Sequence, residues 1–298
     1  VRKLNALLDY IYFVVQHSFG GSMPLESTPP KDIGAEDARV MLSRAAPNAL
    51  TVLDVRQGWE YEELHLPGAK LVPLGELEDR TAEIPRDKPL LVYCRSGKRS
   101  AAAASLLSAR GYRDVMNMLG GIMAWAGASA VGPQASGMQY WKGDETPEQI
   151  LALAFAMERE LGAFYLGLAD NAADEELKAT FARLAGFEDK HKLVVYHLYK
   201  TLFPQSSGIE DLADKATFMA LEGGRSAQEI LADSQVFESA RDALEMAMGI
   251  EAQALDLYMR YAETAADAKT RETLHGLAKE ERGHLRALAT LMDRLGPG

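Results

Sequence analysis

The chain has 298 residues and a formal charge of −11 at pH 7, a length that exceeds one ordinary domain and predicts two. The charge is uneven, with 16 Lys/Arg against 15 Asp/Glu in residues 1–143 but 16 against 28 in residues 144–298, a balance that repels nucleic acid and attracts cations. A single cysteine, Cys94, excludes an intrachain disulfide framework and any four-cysteine metal centre within the chain, and it predicts a reducing, cytoplasmic setting.

The opening VRKLNALLDYIYFVVQ places Arg2 and Lys3 ahead of an apolar patch. Asp9 interrupts that patch, and its length falls well short of the roughly 20 apolar residues that cross a bilayer. No membrane span is expected, and residues 1–29 read as an N-terminal extension of artefactual origin, with Met23 opening a natural start. From there the pattern predicts a short helix over 35–46, a β-rich run over 49–55, strands over 69–74 and 89–94, an Ala-rich helix over 100–109 and a strand over 114–119. Strands alternating with helices predict an α/β domain on a largely parallel sheet, spanning 30–127. GASAVGPQASGM is rich in Gly, Ser and Pro, so residues 128–145 read as a linker.

Thr146 followed by Pro147 signals a helix start, and four amphipathic segments follow over 147–170, 174–202, 236–265 and 268–294. Tight links join the first to the second and the third to the fourth, while residues 203–235 separate the pairs, with short helices expected at 209–221 and 226–232. Two hairpins joined by one long crossover predict an all-α, ferritin-like four-helix bundle over 146–298.

Four glutamates sit on the apolar faces of these helices. Glu158 shares its face with Phe155, Leu161 and Tyr165, Glu251 with Met248, Leu255 and Tyr258, Glu188 with Phe181 and Leu184, and Glu281 with Leu274 and Leu277. Buried uncompensated carboxylates cost several kcal/mol each, so something positive must accompany them. The apolar stripes contain no Lys or Arg beyond Lys192 at one edge. Glu188 follows Glu158 by 30 residues and Glu281 follows Glu251 by 30, a His lies three further on each time, and the whole constellation recurs at an offset of 93. A duplicated hairpin packed on itself brings four Glu and two His together, enough charge to balance two divalent ions. Oxygen-rich ligation with two imidazoles suits Fe(II) or Mn(II) better than thiolate-seeking metals.

With MERELGAFY, FEDKH, IEAQALDLY and EERGH in place, residues 147–294 resemble the rubrerythrin branch of the ferritin-like superfamily. The resemblance implies that Glu158, Glu188, His191, Glu251, Glu281 and His284 bind two iron ions, with manganese or a mixed iron–manganese pair as alternatives. It also implies Tyr165 and Tyr258 behind the ligands, peroxide or oxygen chemistry linked to oxidative stress, an external electron donor and a homodimer. The chain departs from the family pattern at Ala254, where many rubrerythrins carry another carboxylate, and it has no rubredoxin module. His197 and His275 lie outside the ligand frame and read as surface or packing residues.

Cys94 ends the run LLVYC, and the turn before the helix at Ser100 contains Gly97 with Arg95, Lys98 and Arg99. Successive backbone N–H groups in such a turn, a helix N-terminus and nearby cations would hold an anion and lower the thiol pKa. Four residues separate Cys94 from Arg99, a smaller ring than the five of cysteine phosphatases, which suits sulfur better than phosphate. Together with LDVR, HLPGA and GGIMAW, the CRSGKRS loop makes residues 30–127 resemble a single rhodanese domain. That resemblance implies a sulfurtransferase of EC class 2.8.1. Cys94 would be its nucleophile with Arg99 beside it, and Arg95, Ser96, Gly97, Lys98 and Ser100 would form the substrate loop. Thiosulfate or another sulfane compound would be the donor, and a thiol or cyanide the acceptor. Asp54, Arg56, His65 and Trp125 read as scaffold. The rival readings are an iron-handling ferroxidase with an accessory rhodanese module and a non-catalytic sulfur-binding or interaction protein.

Overall fold

The computed structural model describes residues 28–138, 141–206, 208–215, 237 and 239–295. Five strands, β1 (Lys31–Gly34), β2 (Thr51–Asp54), β3 (Lys70–Leu71), β4 (Leu90–Tyr93) and β5 (Val115–Leu119), form one sheet in the order β1-β5-β4-β2-β3. Every pairing is parallel. β2 and β4 are buried along their whole length, which is why TVLD and LLVY lack a polar alternation. Successive residues point to opposite faces of the sheet. Leu53, Leu90 and Val92 pack towards α3 (Lys98–Ala109), whereas Val52, Leu91 and Tyr93 pack towards α1 (Ala35–Arg44) and α2 (Gly58–Glu63). The short edge strand β1 and helix α2 are additions to the expected elements; four residues led by Lys-Asp carry too little apolar signal to read as a strand.

The second half contains α4 (Pro147–Asn171), α5 (Glu175–Leu202), α6 (Ile209–Lys215), α7 (Ala240–Thr264) and α8 (Ala268–Arg294). The expected short helix at 226–232 and the end of the one at 209–221 lie outside the described residues. Each long helix starts on a side-chain cap. Thr146 accepts from Gln149 N and Ser239 from Asp242 N, each inside a reciprocal capping box, while Asp174 accepts from Leu177 N and Asp267 from Thr270 N. Thr146 and Ser239, like Asp174 and Asp267, are 93 residues apart, so the duplication extends from the glutamates and histidines to the helix caps.

The 128–145 segment is anchored on both sides. His65 and Ala130 exchange two backbone hydrogen bonds. The Gln253 side chain does the same with the backbone of Val131, accepting at 3.0 Å and donating at 3.1 Å. Arg260 donates to the carbonyls of Gln134 at 2.6 Å and Ser136 at 3.0 Å. Asp256, with no exposed surface, ties the two halves together: it accepts from Gly68 N at 2.8 Å and from Arg260 Nε at 2.7 Å, and His65 Nε2 lies 3.4 Å away. Gly68 is required at this contact, because it has a φ of +74° and an added Cβ would lie 2.9 Å from Met259 Cβ.

Truncating Asp256 would leave Arg260 buried without its carboxylate. Asp256→Ala is expected to lower stability by about 3–5 kcal/mol in urea unfolding. An Asp256→Leu/Arg260→Met double variant should recover much of that loss.

Candidate functional sites

Cys94 is 1% exposed at the carboxyl end of β4. Its Sγ accepts from Gly97 N at 3.1 Å and lies 3.5 Å from Ser100 Oγ. Burial pushes the thiol pKa up, but hydrogen bonds from the Ser100 hydroxyl and from the backbone N–H groups of Ser100, Ser96 and Gly97 outweigh it and hold the thiol below its ordinary value. The hydrogen bonds do what the sequence reading assigned partly to the loop cations. Arg95 and Lys98 are exposed, and Arg99 forms a two-pronged ion pair with Glu60, with both contacts at 2.7 Å. Glu60 itself is placed by the Gln57–Glu60 capping box that starts α2, a Q-x-x-E signal visible in QGWE but not singled out there. Ser100 Oγ also lies 2.7 Å from Asn117 Oδ1, so its single hydroxyl hydrogen is shared between the thiol and β5.

The double glycine after β5 clamps this loop from behind. Ile122 N and Met123 N donate to the carbonyls of Cys94 at 2.8 Å and Arg95 at 3.1 Å. A Cβ on Gly121 would lie 2.2 Å from the Cys94 carbonyl oxygen. Asp54 and Arg56 form a buried ion pair at 2.7 Å, with Arg56 also donating to Leu64 O at 2.6 Å, so both act as scaffold. His65 stacks on Tyr61 at a centroid distance of 3.6 Å, and its Nδ1 lies 2.8 Å from Tyr61 O.

In the bundle, Glu158, Glu188, Glu251 and Glu281 are each no more than 2% exposed and converge on one level. One apolar cluster lies on the Ile150–Met157 side of that level and another on the Leu161–Ala169 side, so the carboxylates divide the core in two. His191 Nδ1 lies 2.9 Å from Glu188 and 3.3 Å from Glu158, and His284 Nδ1 lies 2.8 Å from Glu281 and 3.1 Å from Glu251. The two imidazoles stack at 3.3 Å with a 5° interplanar angle, joining the hairpins. Burial pushes Glu251 up, but the hydrogen bond and charge of His284, with contributions from Glu281 and His191, hold it below its ordinary value. Ligand atoms of Glu158, Glu188 and His191 lie within 4.8 Å of one another, as do those of His191, Glu251 and His284.

This donor set fits divalent cations. Each Nδ1 faces two carboxylate oxygens yet carries at most one hydrogen. Four buried carboxylates also outnumber two imidazoles even when both rings are protonated. Tyr165 and Tyr258 are fully buried, seven residues beyond Glu158 and Glu251. Gly162 allows close approach of α4 and α5, since a Cβ there would meet Glu188 Cβ at 3.3 Å.

The thiol geometry has a pH consequence. Because the folded-state pKa of Cys94 is depressed, its thiolate contributes stability above the unfolded-state pKa, and that contribution is lost as pH falls through the folded value. Iodoacetamide alkylation of Cys94 is therefore expected to titrate below the ordinary cysteine range, and Ser100→Ala should move the midpoint upward. The readout is the alkylation rate against pH.

A family model described as Rhodanese-like domain matches residues 35–128, and one described as Rubrerythrin matches residues 149–241. The second match ends before Glu251, Glu281 and His284, so the second hairpin stands on the 93-residue repeat and the geometry. A Bacillus subtilis protein described provisionally as a sulfur carrier, YrkF, is 39% identical over 79 residues, covering 26% of this chain and 43% of that protein. The chain thus spans less than half of that relative's length. An Allochromatium vinosum protein named sulfurtransferase is 39% identical over 85 residues, covering 28% of this chain and 79% of its own length. A Coxiella burnetii protein named thiosulfate sulfurtransferase GlpE is 32% identical over 76 residues, covering 26% and 71%. The cysteine loop on its parallel sheet and the carboxylate-centred bundle thus fall in two recognised families, and the chain belongs to the rhodanese-like family through residues 35–128, with a rubrerythrin domain following it.

Proposed function

We propose that the protein is a sulfurtransferase that carries sulfane sulfur as a persulfide on Cys94, coupled in one chain to a dinuclear iron domain for peroxide or oxygen chemistry. The ring of N–H and O–H donors around the Cys94 sulfur carries the first part, because it stabilises a thiolate both as attacking and as leaving group. The thiolate attacks the outer sulfur of thiosulfate. A new S–S bond forms, the bond to the sulfonate sulfur breaks, and sulfite leaves with the bonding pair. A thiol or cyanide acceptor then attacks the terminal sulfur, and Cys94 departs as the thiolate, so transfer involves no net oxidation of the protein. Exposed Arg95 and Lys98 draw an anionic donor from solvent, and Arg99, held by Glu60, adds positive charge beside the loop. The relatives named as sulfurtransferases support this reading. The cytoplasm is the compartment that keeps the single thiol reduced.

In the bundle, Glu158, Glu188, His191, Glu251, Glu281 and His284 would hold two divalent ions, and iron, manganese or a mixed pair suits the donors. Bound iron supplies redox chemistry towards peroxide or oxygen. The chain's own part is to exclude water with the apolar clusters above and below and to gather the carboxylates at one level between them. Electrons must come from outside, since one cysteine cannot build a four-cysteine relay.

Cys94→Ser is expected to abolish thiosulfate-to-cyanide sulfur transfer while leaving metal content unchanged; loss of metal alongside transfer would overturn the two-site reading. Elemental analysis should find two metal ions per chain, with Glu188→Ala cutting the content sharply and the partly exposed Glu160 tolerating Ala. Stopped-flow absorbance of the reduced protein should show a faster reaction with hydrogen peroxide than with oxygen, stopping until reductant is added. Preferential reaction with oxygen and continued uptake of Fe(II) would instead identify a ferroxidase.

A further inference from the structure

A cleft of about 340 Å³ opens at the seam between the α/β domain and the bundle, lined on one side by Lys88 and on the other by Arg271, His275 and Arg282. None of these four has a carboxylate in contact among the described residues, Asp267 acting on Arg271 only at longer range. Lys88 donates to Asn48 Oδ1, Arg271 to the carbonyls of Ala265 and Ala266, and Arg282 to the carbonyl of Ala45. The carboxylates that line the cleft are already paired, Glu83 with Arg80 at 2.8 Å and Glu263 with Lys70, itself part of the lining, at 3.3 Å. His275 Nδ1 is buried with no hydrogen-bond partner. Burial, together with the charges of Lys88, Arg271 and Arg282, pushes the His275 pKa below its ordinary value, in keeping with the four sharing one cleft. Three cations gathered with no carboxylate in direct contact leave room for a counter-charge, and they stand out in a chain of net charge −11.

We propose that this seam binds a multivalent oxyanion, either a free ion or the phosphoryl end of a small organic phosphate. Lys88, Arg271 and Arg282 would supply charge-assisted hydrogen bonds, and His275 Nδ1–H a neutral one. The apolar wall of Leu42, Val52, Met259 and Ala262 leaves room for a small organic body behind the charged group. Because its ligands come from both domains, an occupant would fasten the α/β domain to the bundle and stabilise the whole chain by mass action. This site is separate from the Cys94 loop and from the six bundle ligands.

Isothermal titration calorimetry of the full, metal-loaded chain tests the proposal, with sodium sulfate in one arm, glycerol 3-phosphate in another and sodium chloride at matched ionic strength as the reference. Saturable binding of sulfate or the phosphate ester beyond chloride is expected. Equal affinities identify the free ion as sufficient, and tighter binding of the ester identifies an organic phosphate. Lys88→Gln/Arg271→Gln should weaken binding about tenfold or more, with metal content and circular dichroism unchanged. Should that double variant fail to fold, partly exposed Lys88→Gln alone should still weaken binding and reduce the ligand-induced rise in Tm. Absence of saturable binding in both arms, or unaltered affinity in a folded variant, overturns the proposal.

Discussion

Burial of four carboxylates at one level of a helical bundle is the constraint on which the rest of the bundle depends. Glu158, Glu188, Glu251 and Glu281 have almost no exposed surface, and the apolar clusters on either side keep water out. Such charges persist in a core only where positive charge meets them. The two stacked histidines face the carboxylates, and divalent ions fit the demand for charge. Metal affinity and bundle stability would therefore be linked, since carboxylates that bind a cation would repel one another without it.

Helix α7 connects this constraint to the other domain. Glu251 points into the bundle, and Asp256, five residues or about 140° further round the helix, meets Gly68, His65 and Arg260 at the domain seam. Gln253 and Arg260 on the same side hold the backbone of the connecting segment. The helix thus presents a ligand face inward and a docking face outward. His65 in turn stacks on Tyr61 in α2, the helix whose Glu60 holds Arg99 beside the cysteine loop. These contacts extend from the domain seam towards the cysteine loop.

The cysteine loop rests on a different balance. A buried thiol ordinarily resists ionisation, and here a few hydrogen-bond donors overcome that resistance. The backbone supplies most of them, so their placement depends on Gly97 at a φ of +90° and on the glycine pair that backs the loop. Side-chain cations outside the ring act at longer range and shape the approach of anions more than the state of the sulfur.

Much of this was legible in the residues alone. Helix periodicity, caps and an exact 93-residue repeat determined the bundle and the convergence of its four glutamates and two histidines, because a face that recurs every three or four residues admits few partners. The strand–Cys–turn–helix pattern likewise determined where the thiol would sit. Tertiary structure alone decided what the polar faces do. Gln253, Asp256 and Arg260 read as solvent-facing on an isolated helix, and their burial depends on a docking geometry that no local pattern encodes. The pairing of Arg99 with Glu60, and the meeting of Lys88 with Arg271, His275 and Arg282, join residues 39 and more than 180 positions apart; such long-range electrostatics becomes visible only once the chain has brought the groups together.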